Sequence, residues 1–170
     1  KRLMRALYLR YDGVFVLNSE HKEWLSGYHM NLDQDKVFLT AHHAAERDAT
    51  IQAIRKSDLF PGATEETPVL FVACRISKEK GILDLPAIVE RVKKQIPDIK
   101  VVVAGTGPAL KELKEQLPEA LYLGWVDKKR VAQMYAGLDL FVFPSKFDTF
   151  GNVILEAFTY GMPVVAYNCK

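Results

Sequence analysis

"PVLFVACRISKEKGILDLPAIVERVKKQIPDIKVVVAG", residues 68–105, decides the fold. It opens on an unbroken apolar run, Val69 to Cys74, and a run without polar alternation marks a strand covered on both faces. A charged loop follows, Arg75 to Gly81. Leu85, Ile88, Val89, Val92 and Ile96 then recur at helical spacing. A second apolar run, "IKVVVAG", closes the segment. Strand, helix and strand in this order form a βαβ unit, whose two strands lie parallel and are joined by a right-handed crossover.

Toward the C-terminus the pattern repeats. "PALKELKEQL" (108–117) reads as a helix with Pro108 in its first turn, and "ALYLG" (120–124) as a strand. "KKRVAQMYAGL" (128–138) is a helix, "DLFVFP" (139–144) a strand, "GNVILEAFTYG" (151–161) a helix and "MPVVAY" (162–167) a strand. The expected class is α/β, a doubly wound, Rossmann-like parallel sheet. Toward the N-terminus, "KRLMRALYLRY" (1–11) reads as a basic helix and "DGVFVLN" (12–18) as a strand. "SEHKEWLSGYH" (19–29) reads as a helix capped by Ser19 with Glu20 in its first turn, and "KVFLT" (36–40) as a strand. Between the two parts lies a polar stretch that includes Pro61-Gly62, a linker signal. The expected division is residues 1–43 as the tail of one domain, 44–65 as a linker and 66–170 as a second domain. The start at Lys1 and the stop just after a strand lead us to expect a truncated piece of a longer protein, its second domain incomplete at the C-terminus.

Composition narrows the class. The chain has 170 residues, 49% of them hydrophobic, so it can bury a core. A formal net charge of +2 lacks the basic excess of a nucleic-acid binder. Two cysteines without short spacing, Cys74 and Cys169, point to a reducing compartment, with neither a disulfide framework nor a zinc site. Neither a membrane-spanning run nor a signal peptide is visible, so the expected location is cytoplasmic. The basic residues Lys1, Arg2, Arg5 and Arg10 allow peripheral contact with an anionic membrane. The simpler reading is a helix that covers a sheet with its charges in water.

In a doubly wound sheet, ligands bind at the carboxyl ends of the strands. Those ends carry Arg75, Lys78, Lys80 and Gly81, then Gly105-Thr106-Gly107-Pro108, then Gly124-Trp125-Val126-Asp127, then Ser145 to Asp148, then Tyr167-Asn168. Glycines, cations, hydroxyls and acids on one edge suit a phosphorylated ligand that also carries sugar hydroxyls. Arg75 offers a rigid fork and Lys80 a point charge to a diphosphate. The helix that starts near Gly151 offers free N–H groups and the positive end of its dipole. Asp148 and Glu156 suit hydroxyls, since a carboxylate accepts two hydrogen bonds from a diol.

Each feature also has a plain reading. Arg75 and Lys80 serve equally well as a solvated charged turn. Gly105-Thr106-Gly107 lacks the third glycine of a dinucleotide fingerprint, Leu110 standing in its place, so a tight strand-to-helix turn is the simpler account. Glu156 alone would be an exposed helix residue. Trp125 reads as packing and Cys74 as an inert small hydrophobe. His42 and His43 point to opposite faces of any strand and make a poor metal pair, and His21 and His29 read as surface residues.

Taken together, "RISKEKG" (75–81), "VVVAGTGP" (101–108), "LYLGWV" (121–126) and above all "FPSKFDTFGNVILEAFTYGMPVVA" (143–166) resemble the retaining, nucleotide-sugar-dependent glycosyltransferases of family 4, the group 1 type, with a GT-B fold. The last stretch carries the family's acid, seven residues and glutamate as Asp148 and Glu156. The resemblance implies that Arg75 and Lys80 bind the donor diphosphate and Glu156 the ribose. It puts Asp148 at the transferred sugar, and Phe150 and Gly151 at sugar and phosphate. The nucleobase would lie near Trp125 and Val126, with Gly105, Gly107, Ser145 and Asn152 also on the donor side. The family's first acid is usually Glu, and Asp148 is one methylene shorter.

By the same resemblance, residues 66–170 are the donor half of a GT-B enzyme that moves a hexose to a glycan or lipid-linked acceptor with retention. It needs no metal or other cofactor, and UDP is expected ahead of GDP in the donor. The isolated piece is expected to hold a nucleoside diphosphate without transferring sugar. A nucleotide-binding module without turnover remains an alternative. A redox domain is disfavoured, because Arg75-Ile76-Ser77 stands where its glycines should be.

Overall fold

The structure is a computed structural model that describes residues 6, 8–17, 19–27, 30–40, 46–148 and 151–168. The chain divides into two compact units, Lys1–His43 and Ala44–Lys170.

In the smaller unit, β1 (Val14–Val16) pairs in parallel with β2 (Val37–Leu39), and α1 (Ser19–Ser26) connects them. Val16, Leu25, Met30, Leu32 and Val37 form its core. Ser19, read as the cap, is the first helical residue itself. Asp33 caps the short 3-10 turn that leads into β2 by accepting from the Asp35 N–H. Of the basic N-terminal residues, Arg10 is exposed, while Lys1, Arg2 and Arg5 lie outside the described residues, as do His29, His42 and His43.

The larger unit contains a five-stranded, all-parallel sheet in the order β5-β4-β3-β6-β7. Its strands are β3 (Val69–Ala73), β4 (Lys100–Ala104), β5 (Leu121–Gly124), β6 (Leu140–Phe143) and β7 (Val164–Ala166). β3 lies in the centre, in register with β4 on one side (Phe71 opposite Val102) and with β6 on the other (Phe71 opposite Phe141). The chain winds outward from β3 to β4 and β5, returns to β6 beside β3, and winds outward again to β7. Strand order therefore reverses between β3 and β6.

Alternate strand residues separate into two cores, as a pleated sheet buried on both faces requires. Leu70, Val72, Val101, Val103 and Val142 pack against α2 (Leu85–Lys93) and α3 (Leu110–Gln116) through Leu85, Val89 and Leu113. Val69, Phe71, Val102, Phe141 and Phe143 pack against α4 (Lys128–Gly137) and α5 (Asn152–Thr159) through Met134, Tyr135 and Ala157. Helices cover both faces, and the sheet is the doubly wound, Rossmann-like layer expected from the sequence. Among the described residues no helix is long and apolar enough to cross a membrane.

Local chemistry sets the helix starts. Pro86 occupies the first turn of α2, and Asp127 caps α4 by accepting from the Arg130 N–H at 2.7 Å. One helix start differs from the sequence reading: α3 begins at Leu110, so Pro108 precedes it. The reason lies in the neighbouring loop. Ala109 N–H donates to the Ile76 carbonyl and Ile76 N–H to the Thr106 carbonyl, which holds residues 106–109 against the end of β3 and delays the helix.

The same contact explains the glycines. A Cβ on Gly105 would lie 1.9 Å from the Cys74 carbonyl oxygen, and one on Gly107 would lie 2.2 Å from that of Ile76. Close approach of two backbones demands Gly105 and Gly107 whether or not a ligand binds there.

Within residues 44–65, read as a linker, part of the chain is anchored. Ile54 is buried and its N–H donates to the Gln133 carbonyl on α4. Lys56 is 3% exposed and pairs with Asp139 at 2.7 Å, while the second Asp139 oxygen accepts from the Val69 N–H at 2.7 Å. Asp139 thereby ties this segment to the starts of β3 and β6. Asp139→Ala would leave the buried Lys56 ammonium without its counter-charge, with only the Glu65 carbonyl still accepting from it, and the Val69 N–H without its side-chain acceptor. Chemical denaturation is expected to show a loss of about 2–4 kcal/mol, well beyond that of Asp98→Ala at an exposed site.

Candidate functional site

The carboxyl ends of β3, β4 and β5 open into a cleft of about 660 Å³. A smaller recess of about 250 Å³ adjoins it where strand order reverses between β3 and β6. Ala73, Cys74, Arg75 and Val153 line both.

In the recess, β3 contributes Arg75 and, through a 3-10 turn at Lys78–Lys80, Lys80. The loop after β6 contributes Asp148, and the start of α5 contributes Gly151 and Asn152. Lys80 Nζ lies 2.7 Å from Asp148 Oδ2, and the other Asp148 oxygen accepts from the Gly151 N–H at 3.0 Å. Although Asp148 sits in an exposed loop, the two paired side chains are only 28% and 21% exposed. One carboxylate thus joins the loop after β3 to the N-terminus of α5. Arg75 is held more loosely, 3.8 Å from Glu79 with most of its side chain in solvent. Lys78 pairs with Glu112 on α3 and stays outside both hollows.

The larger cleft holds Gly105, Gly107, Trp125, Val126 and Glu156, all singled out from sequence. Glu156 is half-buried on α5 and makes neither a hydrogen bond nor an ion pair among the described residues. Trp125, read as a packing residue, is instead 76% exposed at the mouth of the cleft. The cause is its strand. β5 is an edge strand with one extra residue, Leu123, between Tyr122 opposite Val103 and Gly124 opposite Ala104. A bulge at an edge turns the chain away from the sheet, and among the described residues no further strand stands beyond to cover the indole.

Two expected site residues differ in place or lie outside the described residues. Ser145 is fully buried, and its hydroxyl donates to the Phe147 carbonyl at 2.8 Å; it shapes the loop rather than lining either hollow. Phe150 lies outside the described residues. The loop is also fastened from its far side, where Lys146 lies 2.6 Å from Asp84 and Tyr167 donates to the same carboxylate. The Lys146 ammonium beside Asp84 holds that carboxyl below its ordinary value.

Sequence reasoning missed several cleft residues, chief among them Tyr135, Tyr160 and Lys128. Tyr135 lies on the inner face of α4 with Val131 and Met134, spaced like any core residue, so its type and position carried no sign of a hollow above it. Burial, and after it the charge of Glu156, holds its phenol well above the ordinary value. Cys74 forms part of the cleft floor, where burial pushes its thiol up to about 11.

That shift disfavours the reactive form of the thiol. Thiolate is the reactive form, and a rise from 9.0 to about 11 lowers its fraction near neutrality roughly a hundred-fold. In a Cys169→Ser background, Cys74 is expected to react with a maleimide at pH 7 about a hundred times more slowly than a model thiol. Stopped-flow or mass-spectrometric labelling would measure this.

A family model described as "Glycosyl transferases group 1" matches residues 54–170. The GDP-mannose-dependent alpha-mannosyltransferase of Corynebacterium glutamicum is 38% identical over 113 residues, covering 66% of this chain and 25% of that protein. The alpha-monoglucosyldiacylglycerol synthase of Streptococcus pneumoniae is 27% identical over 175 residues, covering 98% of this chain and 40% of that protein. Among solved structures, the pneumococcal O-GlcNAc transferase GtfA in complex with UDP and GlcNAc superposes with a TM-score of 0.74 at 18% identity, over 99% of this chain and 32% of that one. The chain therefore spans between a quarter and two fifths of the length of these proteins.

Proposed function

The chain belongs to the glycosyl transferases group 1 family, and from that premise we propose that its larger unit holds the nucleotide-sugar donor of a hexosyl transfer that retains the anomeric configuration. The observation that carries this reading is the convergence of Lys80, Asp148 and the Gly151 N–H in a recess that adjoins the cleft bearing Glu156. A cationic pocket for the diphosphate thus lies next to a carboxylate free to take the ribose hydroxyls.

The physical roles follow from charge. Asp148 pairs with Lys80. An arriving diphosphate offers Lys80 a stronger partner, so the ammonium changes partner and the Asp148 carboxylate turns toward the sugar. Arg75, loosely tied to Glu79, is free to close on the same phosphates as a fork. As the glycosidic bond breaks, negative charge gathers on the departing diphosphate, where Arg75, Lys80 and the N-terminal turn of α5 stabilise it. Positive charge builds on the sugar ring, within the field of Asp148. Ribose contacts by Glu156 are the same before and during bond breaking, so they strengthen binding without speeding the chemistry.

The donor is a UDP-linked or GDP-linked hexose, UDP being the first candidate. The acceptor is a glycan or lipid-linked molecule bound by a second domain, of which residues 1–43 form the tail. The reading uses no metal: Arg75, Lys80 and the start of α5 would offset the charge of the diphosphate. Peripheral contact with a membrane would bring a lipid-linked acceptor within reach.

Calorimetric titration with UDP, GDP, ADP and NAD tests the reading: UDP or GDP should bind most tightly, and preference for NAD would overturn it. Arg75→Ala and Lys80→Ala are each expected to weaken diphosphate binding roughly ten-fold and to leave nucleoside binding unchanged. Equal losses for uridine and UDP would count against the diphosphate assignment.

The two acids should separate. Glu156→Ala is expected to weaken binding of the nucleoside diphosphate and to raise the donor KM. Asp148→Asn releases Lys80, so its diphosphate affinity should hold or rise while kcat falls in the full-length enzyme. A normal kcat with a large loss of diphosphate affinity in Asp148→Asn would reverse the two roles.

A further inference from the structure

The Tyr135 hydroxyl is a buried group without a use in the fold. The residue is 2% exposed, and its hydroxyl has no hydrogen-bond partner among the described residues. The ring itself is firmly held, edge-on to Phe141 at 5.2 Å and to Phe71 at 5.7 Å between ring centroids. These aromatic contacts would be served as well by phenylalanine. The hydroxyl adds an unpaired polar atom to an apolar cluster, which costs stability unless a partner arrives.

The cleft places such a partner nearby. Tyr135 and Glu156 line the same hollow from α4 and α5, two helices packed side by side on one face of the sheet. A neutral phenol donates one hydrogen bond, and an ionised carboxylate only accepts. Here a donor without an acceptor and an acceptor without a donor share one wall. Glu156, half-buried on the wall of an open hollow, lies within reach of solvent water. Once a ligand fills the hollow, that water leaves, and the carboxylate needs a protein donor on the side that the ligand does not occupy.

We propose that the Tyr135 hydroxyl is the positioning group for Glu156: on ligand entry it donates to the carboxylate, orients it, and leaves the remaining lone pairs to accept from a vicinal diol. The inference rests on the nucleotide-sugar reading of the cleft and adds a residue to it. It also accounts for the tyrosine. The hydroxyl's cost to the apolar cluster is offset when the ligand-bound carboxylate accepts from it.

The test is a double-mutant cycle on the 170-residue chain with Tyr135→Phe and Glu156→Gln. Each variant is titrated with UDP and GDP, and with the dideoxyribose analogue of whichever binds more tightly. Tyr135→Phe is expected to melt at or above the wild-type temperature and yet to bind the ribose nucleotide roughly ten-fold more weakly. The double variant should be no weaker than Glu156→Gln alone, and all four proteins should bind the dideoxy analogue alike. A structural role alone would lower the melting temperature and spare this ribose dependence. Unchanged affinity in Tyr135→Phe, additive losses in the cycle, or an equal loss for the dideoxy analogue would each overturn the proposal. If Glu156→Gln weakens binding and Tyr135→Phe does not, the positioning role alone falls. If the wild-type chain binds neither nucleotide, or Glu156→Gln has no effect, the nucleotide reading falls and takes the inference with it.

Discussion

β3 is buried along its whole length and hydrogen-bonded on both edges. A strand with five apolar residues and no polar face has nowhere else to go: it needs helices above and below and a strand on each side. From that constraint the remainder of the larger unit follows. Two crossovers carry the chain outward on one side, a third returns it to β6 beside β3 and a fourth carries it outward on the other side, so the order reverses beside β3. At the reversal the loops after β3 and β6 part, and the hollow between them is where charged residues can face inward without burial in an apolar core.

What occupies that hollow is governed by electrostatics across the reversal. The loop after β3 is cationic, and the loop after β6 carries a carboxylate. Lys80 and Asp148 close on each other, and Asp148 also restrains the Gly151 N–H at the helix start. The pair therefore holds two loops together and places opposite charges side by side in the recess. On the far side, Asp84 gathers Lys146 and Tyr167 and braces the same loop. Because these groups are substantially exposed, the bracing acts through geometry more than through energy.

The second hollow owes its depth to backbone contact. Gly105 and Gly107 let the loop after β4 lie directly against the loop after β3, with the Gly105 N–H bonded to the Gly124 carbonyl as well. Three consecutive loops are thereby laced edge to edge. The space remains open above Cys74 and Tyr135, toward Glu156 and the exposed Trp125.

The sequence by itself determined the architecture of the larger unit. Unbroken apolar runs, helical spacing and loop glycines each report a local requirement of the backbone, and local requirements are legible without partners. The motif around Asp148 and Glu156 marked which loop and which helix carry the acids, and Arg75 and Lys80 were legible as the cations of the first loop. Only the tertiary structure decided what these residues do to one another. That Lys80 reaches Asp148 across 68 positions, that Ser145 turns inward and that α3 starts after Pro108 are all consequences of loops meeting at the sheet edge. Trp125 and Tyr135 show the same limit from opposite sides. One is a large apolar residue that an edge-strand bulge leaves in solvent, and the other sits at a core position beside the cleft with its hydroxyl buried and unpaired among the described residues. Residue type and spacing fix which face of an element a side chain occupies. Whether that face meets a neighbour, water or a vacant cleft depends on elements far away in the chain.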